Sequence, residues 1–315
     1  MTFLVSICIA TYKRPDGLKR LLDGINQLTF NKIKPPNIEV IVVDNDSSGS
    51  ARDFCESIKA DFQWSLKYDV EPIQGVTYAR NRTITNISEH SDFIAIIDDD
   101  EVPEPNWIEE LLLVQQEYKG DIVAGLVNAH FEDNDVPEWV KKGRFFEPKH
   151  FPTGHQRQTA FTNNVLIRTQ ILHQLEPIFD ERYAIKGSED THLFMRLHKA
   201  GNKIVWADEA VVTEWIPKSR TNLKWILERA YWGWSSYSLF ERDLYPSAKL
   251  QVIRFFKGVA LMIVGIILMI PGILRGKFAL AQALLNLYRG TGTFAGLLGF
   301  QGDWQTKGNN KVISH

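Results

Sequence analysis

The chain has 315 residues, 44% of them hydrophobic and 23% charged, a balance that supports a large packed core and excludes disorder over most of its length. A formal net charge of −2 gives no electrostatic footprint for a nucleic-acid partner, and with only Cys8 and Cys55 there is neither a disulfide framework nor a zinc spacing, as suits a reducing compartment. The near-neutral total hides an asymmetry: residues 1–240 carry 27 basic and 35 acidic side chains, whereas residues 241–315 carry 9 and 3, so the body is −8 and the tail +6.

The first nine residues lack a basic n-region and a small-residue cleavage site, and read as a strand and not a signal peptide; the body is expected to stay in the cytoplasm. Over the first two hundred residues, apolar β-branched runs alternate with helical periodicity, the pattern of a layered α/β sheet. Strands are predicted near residues 5–10, 39–44, 66–70, 93–98 and 122–127. The first predicted helix, residues 15–27, opens on Pro15 and carries Leu18, Leu21, Leu22 and Ile25 on one face; others are expected over 51–59, 77–86 and 106–118. From 128 to 162 the periodicity disappears into a stretch rich in Pro, Gly, Lys and aromatics, and loops that long are usually lids or binding loops. Regular structure resumes with a helix over 190–200 and an aromatic helix over 222–232.

Chemistry collects at the predicted strand ends. Phe93-Ile94-Ala95-Ile96-Ile97 runs straight into Asp98-Asp99-Asp100-Glu101, a buried parallel strand ending in four carboxylates. Carboxylates so crowded repel one another unless a cation sits among them, and hard oxygen donors select Mg²⁺ or Mn²⁺ that itself holds phosphate oxygens. A solvated acidic loop is the plainer reading of that run taken alone. The first strand ends in Thr11-Tyr12-Lys13-Arg14, where hydroxyls, amides and a guanidinium can meet a nucleotide or simply cap a helix. Asp44, closing the second strand, can accept from a base imide or a ribose hydroxyl, although the following serines fit a plain N-cap. Arg80, on the first turns of a helix after Gly75, can reach a diphosphate or make an exposed salt bridge.

These pieces in this order resemble the family 2 glycosyltransferases of the GT-A fold over roughly residues 4–215, on the strength of Val5 to Arg14, Val42-Val43-Asp44-Asn45-Asp46-Ser47, Gly75 to Asn81 and Asp98-Asp99-Asp100. The resemblance implies an α/β, Rossmann-like transferase domain for nucleotide-diphospho-sugars. It implies that Asp98-Asp99-Asp100 is the family's DxD element, with Asp100 the direct ligand of Mg²⁺ or Mn²⁺ and Asp98 assisting metal and nucleotide. Thr11, Tyr12, Arg14, Asp44, Arg80, Asp98 and Asp99 would then bind the nucleotide-sugar. Thr162-Asn163-Asn164-Val165-Leu166-Ile167-Arg168 is similar to the acceptor-side asparagine loop, so Asn163 and Asn164 would face the acceptor. Gly187-Ser188-Glu189-Asp190-Thr191 is similar to the family's catalytic Glu-Asp motif. A sugar hydroxyl that attacks an anomeric carbon must lose its proton, and a carboxylate on a rigid helix start is the natural base; Asp190 is the expected one, with Glu189 beside it, though capping and the helix dipole also favour acids there. One direct displacement would invert the anomeric configuration.

Beyond residue 215 the chain resembles more specifically the bacterial exopolysaccharide enzymes of succinoglycan type. No Gln-x-x-Arg-Trp run of the processive synthases is present, which argues for one sugar per encounter. Arg220 and Arg229 are candidates for holding a diphosphate, whereas Trp225, Trp232 and Trp234 suit a core or a membrane interface. Residues 258–274 form a run of 17 without a charge, at the short edge of what crosses a bilayer, with Arg254 and Lys257 before it and Arg275 and Lys277 after it. A second apolar region, 278–287 and 294–300, is broken by Arg289 and glycines, as in a re-entrant or interfacial hairpin; Pro271-Gly272 should kink or end the first helix. A buried hairpin of a soluble protein is the alternative.

The expected organisation is a catalytic domain over 1–215, an aromatic helical connector over 216–245 and a basic, apolar membrane-associating tail over 246–315. The expected function is transfer from a UDP-linked donor to a lipid-linked saccharide at the cytoplasmic face of a bacterial inner membrane. An aspartate-nucleophile phosphatase, from Asp98-x-Asp100-x-Val102, and a noncatalytic sugar-nucleotide-binding membrane protein are the rival readings.

Overall fold

The computed structural model describes residues 2–133 and 135–302. In chain order its elements are β1 Leu4–Thr11, α1 Pro15–Ile25, β2 Asn37–Asp44, α2 Arg52–Ile58, β3 Ser65–Val70, α3 Val76–Thr85, β4 Phe93–Ile97, β5 Glu101–Pro103 and α4 Trp107–Tyr118. They continue with β6 Ile122–Phe131, α5 Glu138–Gly143, β7 Gln156–Arg157, β8 Asn164–Arg168, α6 Thr169–Leu172, α7 Glu189–Lys199, β9 Ile204–Ile216, α8 Leu223–Leu244, α9 Ala248–Arg275 and α10 Lys277–Leu297. Two compact units result. A sheet unit takes the residues up to Ala129, Pro148–Ala184 and Glu189–Trp215; a helical unit takes His130–Glu147, Ile185–Ser188 and the chain from Ile216 onward.

In the sheet unit the strand order is β3-β2-β1-β4-β8-β6-β9-β5, with β7 on the side of β9. Strands β1 to β4 are parallel, and β8 turns antiparallel against β4 with Ile97 opposite Asn164. The chain leaves β1 in one direction toward β2 and β3 and returns to the other side of β1 for β4. Such a reversal opens a crevice at the carboxyl ends of the strands, where Thr11, Asp44 and the end of β4 lie. Strand periodicity sorts the core onto two faces. Val5, Ile7, Ile9, Ala95 and Ile97 pack with Leu18, Leu21 and Leu22 of α1 and with Trp107 of α4, whereas Cys8, Ile94 and Ile96 pack with Ile84 of α3 and Phe194 of α7. Each predicted strand is present; β5, β7, β8 and β9 lie outside the predicted set, being short or studded with charges as in Ala207-Asp208-Glu209-Ala210.

In the helical unit α10 packs along both α8 and α9, and α5 lies against α10. Close approach is secured by small residues: a Cβ on Gly296 of α10 would stand 2.3 Å from the Ser235 carbonyl of α8, and one on Gly265 of α9 would stand 2.9 Å from the Ala283 carbonyl of α10. Asn222 caps α8 by accepting from the Trp225 amide at 2.9 Å. Pro271 does not end α9; the helix runs one further turn and stops at Gly276, whose φ of 95° only glycine adopts readily.

Candidate active site

The end of β4 decides the site. Positions 94 and 96 face α3 and α7, and Asp98 continues that face; Asp99 and Asp100 then enter a turn that the Glu101 amide closes on the Asp98 carbonyl at 3.2 Å, which carries Asp99 to the α1 side. On the α1 side, Asp99 Oδ2 accepts from Thr11 Oγ1 at 2.9 Å and Asp99 Oδ1 from Arg14 Nη1 at 2.8 Å. Arg14 Nη1 also donates to Asp100 Oδ2 at 3.1 Å. Gly17, in the first turn of α1, is required here: a Cβ would fall 2.5 Å from the Asp99 carbonyl. On the α7 side, the buried Arg80 donates through Nη2 to Asp98 Oδ1 at 2.6 Å and through Nη1 to Glu189 Oε1. One guanidinium thus ties the end of β4 to the start of α7.

Burial sets the electrostatics. It pushes the Asp99 carboxyl up to about 6, with Arg14 opposing and Asp100 reinforcing. Glu101, which accepts from the Asp98 amide at 3.1 Å and pairs across the sheet with Glu214, is driven well above the usual carboxylate range by burial first, then by Asp98 and Glu214. Burial also raises Glu189 and Asp190 against the pull of Arg80. The two differ in access: Glu189 is buried and paired with Arg80, whereas Asp190 is half-buried and is held by the Thr191 amide at 2.5 Å. Gly187 and Ser188, both at positive φ, lead the chain into this helix start.

The remaining predicted residues are placed less uniformly. Tyr12 lies in the β1–α1 turn, its hydroxyl 3.4 Å from Gln74 Nε2. Asp44 is fully buried, and its oxygens accept from the amides of Asp46 and Ala51 and from the hydroxyls of Ser50 and Tyr68, so it shapes its own loop. Its neighbour Asn45, not singled out in the sequence, bridges the Glu71 and Ile73 carbonyls to the Gly75 amide and fixes the start of α3, and with it Arg80. Asn163 is half-buried just ahead of β8. Asn164 is turned away into the core: it accepts from Trp107 Nε1 at 2.7 Å and donates to the Leu126 and Ala210 carbonyls at 2.9 and 2.8 Å.

Among the described residues no three metal-ligating side chains converge as a ready-made cage. The donor chemistry still suits Mg²⁺ or Mn²⁺, which take one or two carboxylates and leave the other positions to phosphate and water. Asp99 accepts through both oxygens, from Thr11 and Arg14, whereas Asp98 accepts from Arg80 through Oδ1 and Asp100 from Arg14 through Oδ2; Asp98 and Asp100 could hold such an ion.

Residues 6–175 match Glycosyl transferase family 2, more than half of the chain. The chain belongs to that family. The family 2 chain is also 30% identical over 231 residues to the succinoglycan biosynthesis protein ExoM of Rhizobium meliloti, covering 73% of this chain and 72% of that one. Its fold is similar to that of TarS 1–349 of S. aureus in complex with UDP, with a TM-score of 0.52 at 16% identity over 95% of this chain and 92% of the other. It is likewise similar to GalNAc-T7 with UDP, GalNAc and Mn²⁺, with a TM-score of 0.52 at 15% identity over 76% of this chain and 50% of that one. The sheet unit is therefore a mixed α/β, GT-A-like fold and the protein a glycosyltransferase, which sets aside the phosphatase and noncatalytic readings of the acidic run.

Proposed function

We propose that this glycosyltransferase is inverting and metal-dependent, and that it moves a sugar from a UDP-linked donor to a lipid-linked saccharide in the assembly of a surface polysaccharide, at the cytoplasmic face of a bacterial inner membrane. The observation that carries the reading is the pair of arginine clamps at the end of β4, Arg14 on Asp99 and Asp100 and Arg80 on Asp98 and Glu189. They hold three adjacent carboxylates in fixed directions, and their two guanidinium groups would meet the negative charge of a donor diphosphate bound beside them. Asp100 and Asp98 would hold Mg²⁺ or Mn²⁺, which would supply Lewis-acid stabilisation of the leaving diphosphate.

Thr11, Tyr12, Arg14, Asp44, Arg80, Asp98 and Asp99 make the donor side, Asp44 acting through the loop it closes. Asp190 is the base. It accepts the proton of the acceptor hydroxyl while that oxygen bonds to the anomeric carbon, the bond from that carbon to the diphosphate breaks, and its electron pair leaves with the nucleoside diphosphate. Its raised pKa, from burial, brings its basicity nearer to neutral pH, where general bases work best. Glu189 is a positioning residue through Arg80, and Asn163 the acceptor contact, with Asn164 anchoring the strand behind it. TarS with UDP and GalNAc-T7 with UDP and Mn²⁺ support the donor and the cation, and ExoM supports a polysaccharide product. The acidic-poor, apolar C-terminal region supports a lipid-borne acceptor.

The test is a binding screen of nucleotide-sugars with Mn²⁺ present, followed by mass analysis of products formed on membrane glycolipids. Tight, Mn²⁺-dependent binding of a UDP-sugar and a mass increment of one sugar on a polyprenyl-diphosphate saccharide are expected. Metal-independent binding, or transfer to soluble glycans alone, would overturn the finer assignments and leave the family unchanged.

A further inference from the structure

Helix α9 is long and apolar enough to cross a membrane by length and composition, yet only 17% of its most apolar window is buried within the protein. Its two faces are sharply different. Gly258, Gly265 and Gly272, seven residues apart and all buried, lie against Thr293 and Phe294, Leu287 and Leu280 of α10. At 3.6 residues per turn, Phe256, Ile263, Ile267, Ile270 and Leu274 form a stripe on the opposite face, exposed by 64%, 51%, 62%, 74% and 85%. A soluble surface does not carry such a stripe without a partner.

Charge says which partner. Between residues 244 and 302 there is no Asp or Glu, whereas Lys249, Arg254, Lys257, Arg275, Lys277 and Arg289 are present. Arg254 is taken by Glu241 at 2.7 and 2.5 Å, but Lys257 and Arg275 are exposed, and eighteen residues, five full turns, put them on one flank at the two ends of the stripe. An apolar stripe flanked by cations is complementary to an anionic bilayer surface.

The ends of α9 then decide its orientation. Its amino-terminal part is bound to α8 through Arg254 and Glu241, as above. Its far end joins α10 at Gly276, and there α10 is fastened to α5: Lys277 Nζ lies 4.9 Å over the Trp139 ring and Gln282 Nε2 donates to the Gly143 carbonyl at 3.3 Å. Helix α5 exposes Glu138, Lys141 and Lys142, and belongs to a segment, 130–147, whose two ends both connect to the sheet unit. Crossing a bilayer takes about 20 apolar residues each way, and 130–147 holds no such run. The far end of α9 therefore stays on the same side of the membrane as its start. The uncharged part, 17 residues, is also only ~25 Å long against the ~30 Å hydrocarbon core.

We infer that α9 lies in the plane of one leaflet of an anionic bilayer, the Phe256–Leu274 stripe sunk among the acyl chains and Lys257 and Arg275 at the headgroups, and that it does not span the membrane. The inference rests on the membrane-associating reading above and adds orientation to it. The test uses the full chain with single cysteines introduced at exposed positions, Phe256→Cys, Ile267→Cys, Leu274→Cys and Arg275→Cys, the native Cys8 and Cys55 being buried. Each variant is bound to vesicles of phosphatidylglycerol and phosphatidylethanolamine. In-plane insertion predicts that fluorescent labels on Phe256→Cys, Ile267→Cys and Leu274→Cys are quenched to similar extents by shallow nitroxide lipids, and that Arg275→Cys reacts with an impermeant thiol reagent added outside. A depth gradient along the stripe, with Arg275→Cys protected until the vesicles are broken, would overturn the orientation alone. Failure of the unmodified chain to bind these vesicles, or a soluble dimer that ignores them, would overturn the membrane reading and this inference together.

Discussion

Charged side chains are buried in the sheet unit, whereas in the helical unit apolar ones are exposed. Arg80, Asp99, Glu101 and Glu189 are 8%, 5%, 1% and 3% accessible, while Ile270 and Leu274 of α9 are 74% and 85% accessible. Water would stabilise the first set and disfavours the second, so each needs a compensating environment. Inside the sheet unit that environment is other protein: guanidinium groups on carboxylates, a hydroxyl on Asp99, an amide on Glu101. On α9 no described residue covers the stripe, and the environment inferred for it is a lipid leaflet. Burial without full neutralisation singles out the proposed reacting centre, and exposure without a polar face the proposed membrane surface.

The comparison can be broken at several points. Asp100→Ala should abolish transfer and remove the Mn²⁺ dependence of UDP binding, read by product mass and by titration with and without the metal; unchanged metal-dependent affinity would mean the ion is held elsewhere. Asp190→Asn keeps the shape but not the basicity, so turnover should fall by on the order of 10² or more with donor affinity retained. Near-normal turnover would exclude Asp190 as the base. Arg80→Ala strands Asp98 and Glu189 without their counter-charge; breaking a buried pair of this kind costs about 3–5 kcal/mol, visible in the denaturation midpoint, and Arg80→Lys should restore only part because one ammonium cannot span both carboxylates.

Smaller effects separate two neighbouring asparagines. Asn164→Ala leaves the Trp107 N–H and two carbonyls unpaired in the core and should cost about 1–3 kcal/mol for each group left unsatisfied, with little change in the acceptor KM of the protein that remains folded. Asn163→Ala should do the reverse, raising the acceptor KM at nearly unchanged stability. On the apolar side, Ile267→Glu on the exposed stripe should weaken vesicle binding about tenfold or more, from the ~1.5–3 kcal/mol that burying such a side chain contributes. UDP binding should be untouched.

Several features were legible in the amino-acid order alone because they rest on local patterns. Strands β1, β2, β3, β4 and β6 show as β-branched runs, α1 as a 3.6-residue apolar stripe, and the acidic cluster as an uninterrupted tetrad after a strand. The 17-residue uncharged run and the basic tail likewise need no fold to be seen. Adjacent residues were not separated by that pattern. Asn163 and Asn164 read as one acceptor element, and Glu189 and Asp190 as one catalytic pair, yet in each pair one side chain is committed to the interior and the other is not. Asp44, expected as a ligand contact, also organises its own loop, which no local pattern announces.

Composition, periodicity and motif order thus determined the fold class, the identity of the acidic strand end and the presence of an apolar tail. Tertiary structure decided which way each side chain points. The end of β4 sends Asp98 toward Arg80 and the turn after it sends Asp99 toward Thr11, and only the packed sheet says what stands on each side. The attachment of α10 to α5 decides in the same way whether an apolar helix crosses a membrane or lies in it, since hydropathy measures only how much surface leaves water, and the connections of both helix ends to the rest of the chain determine where they can go.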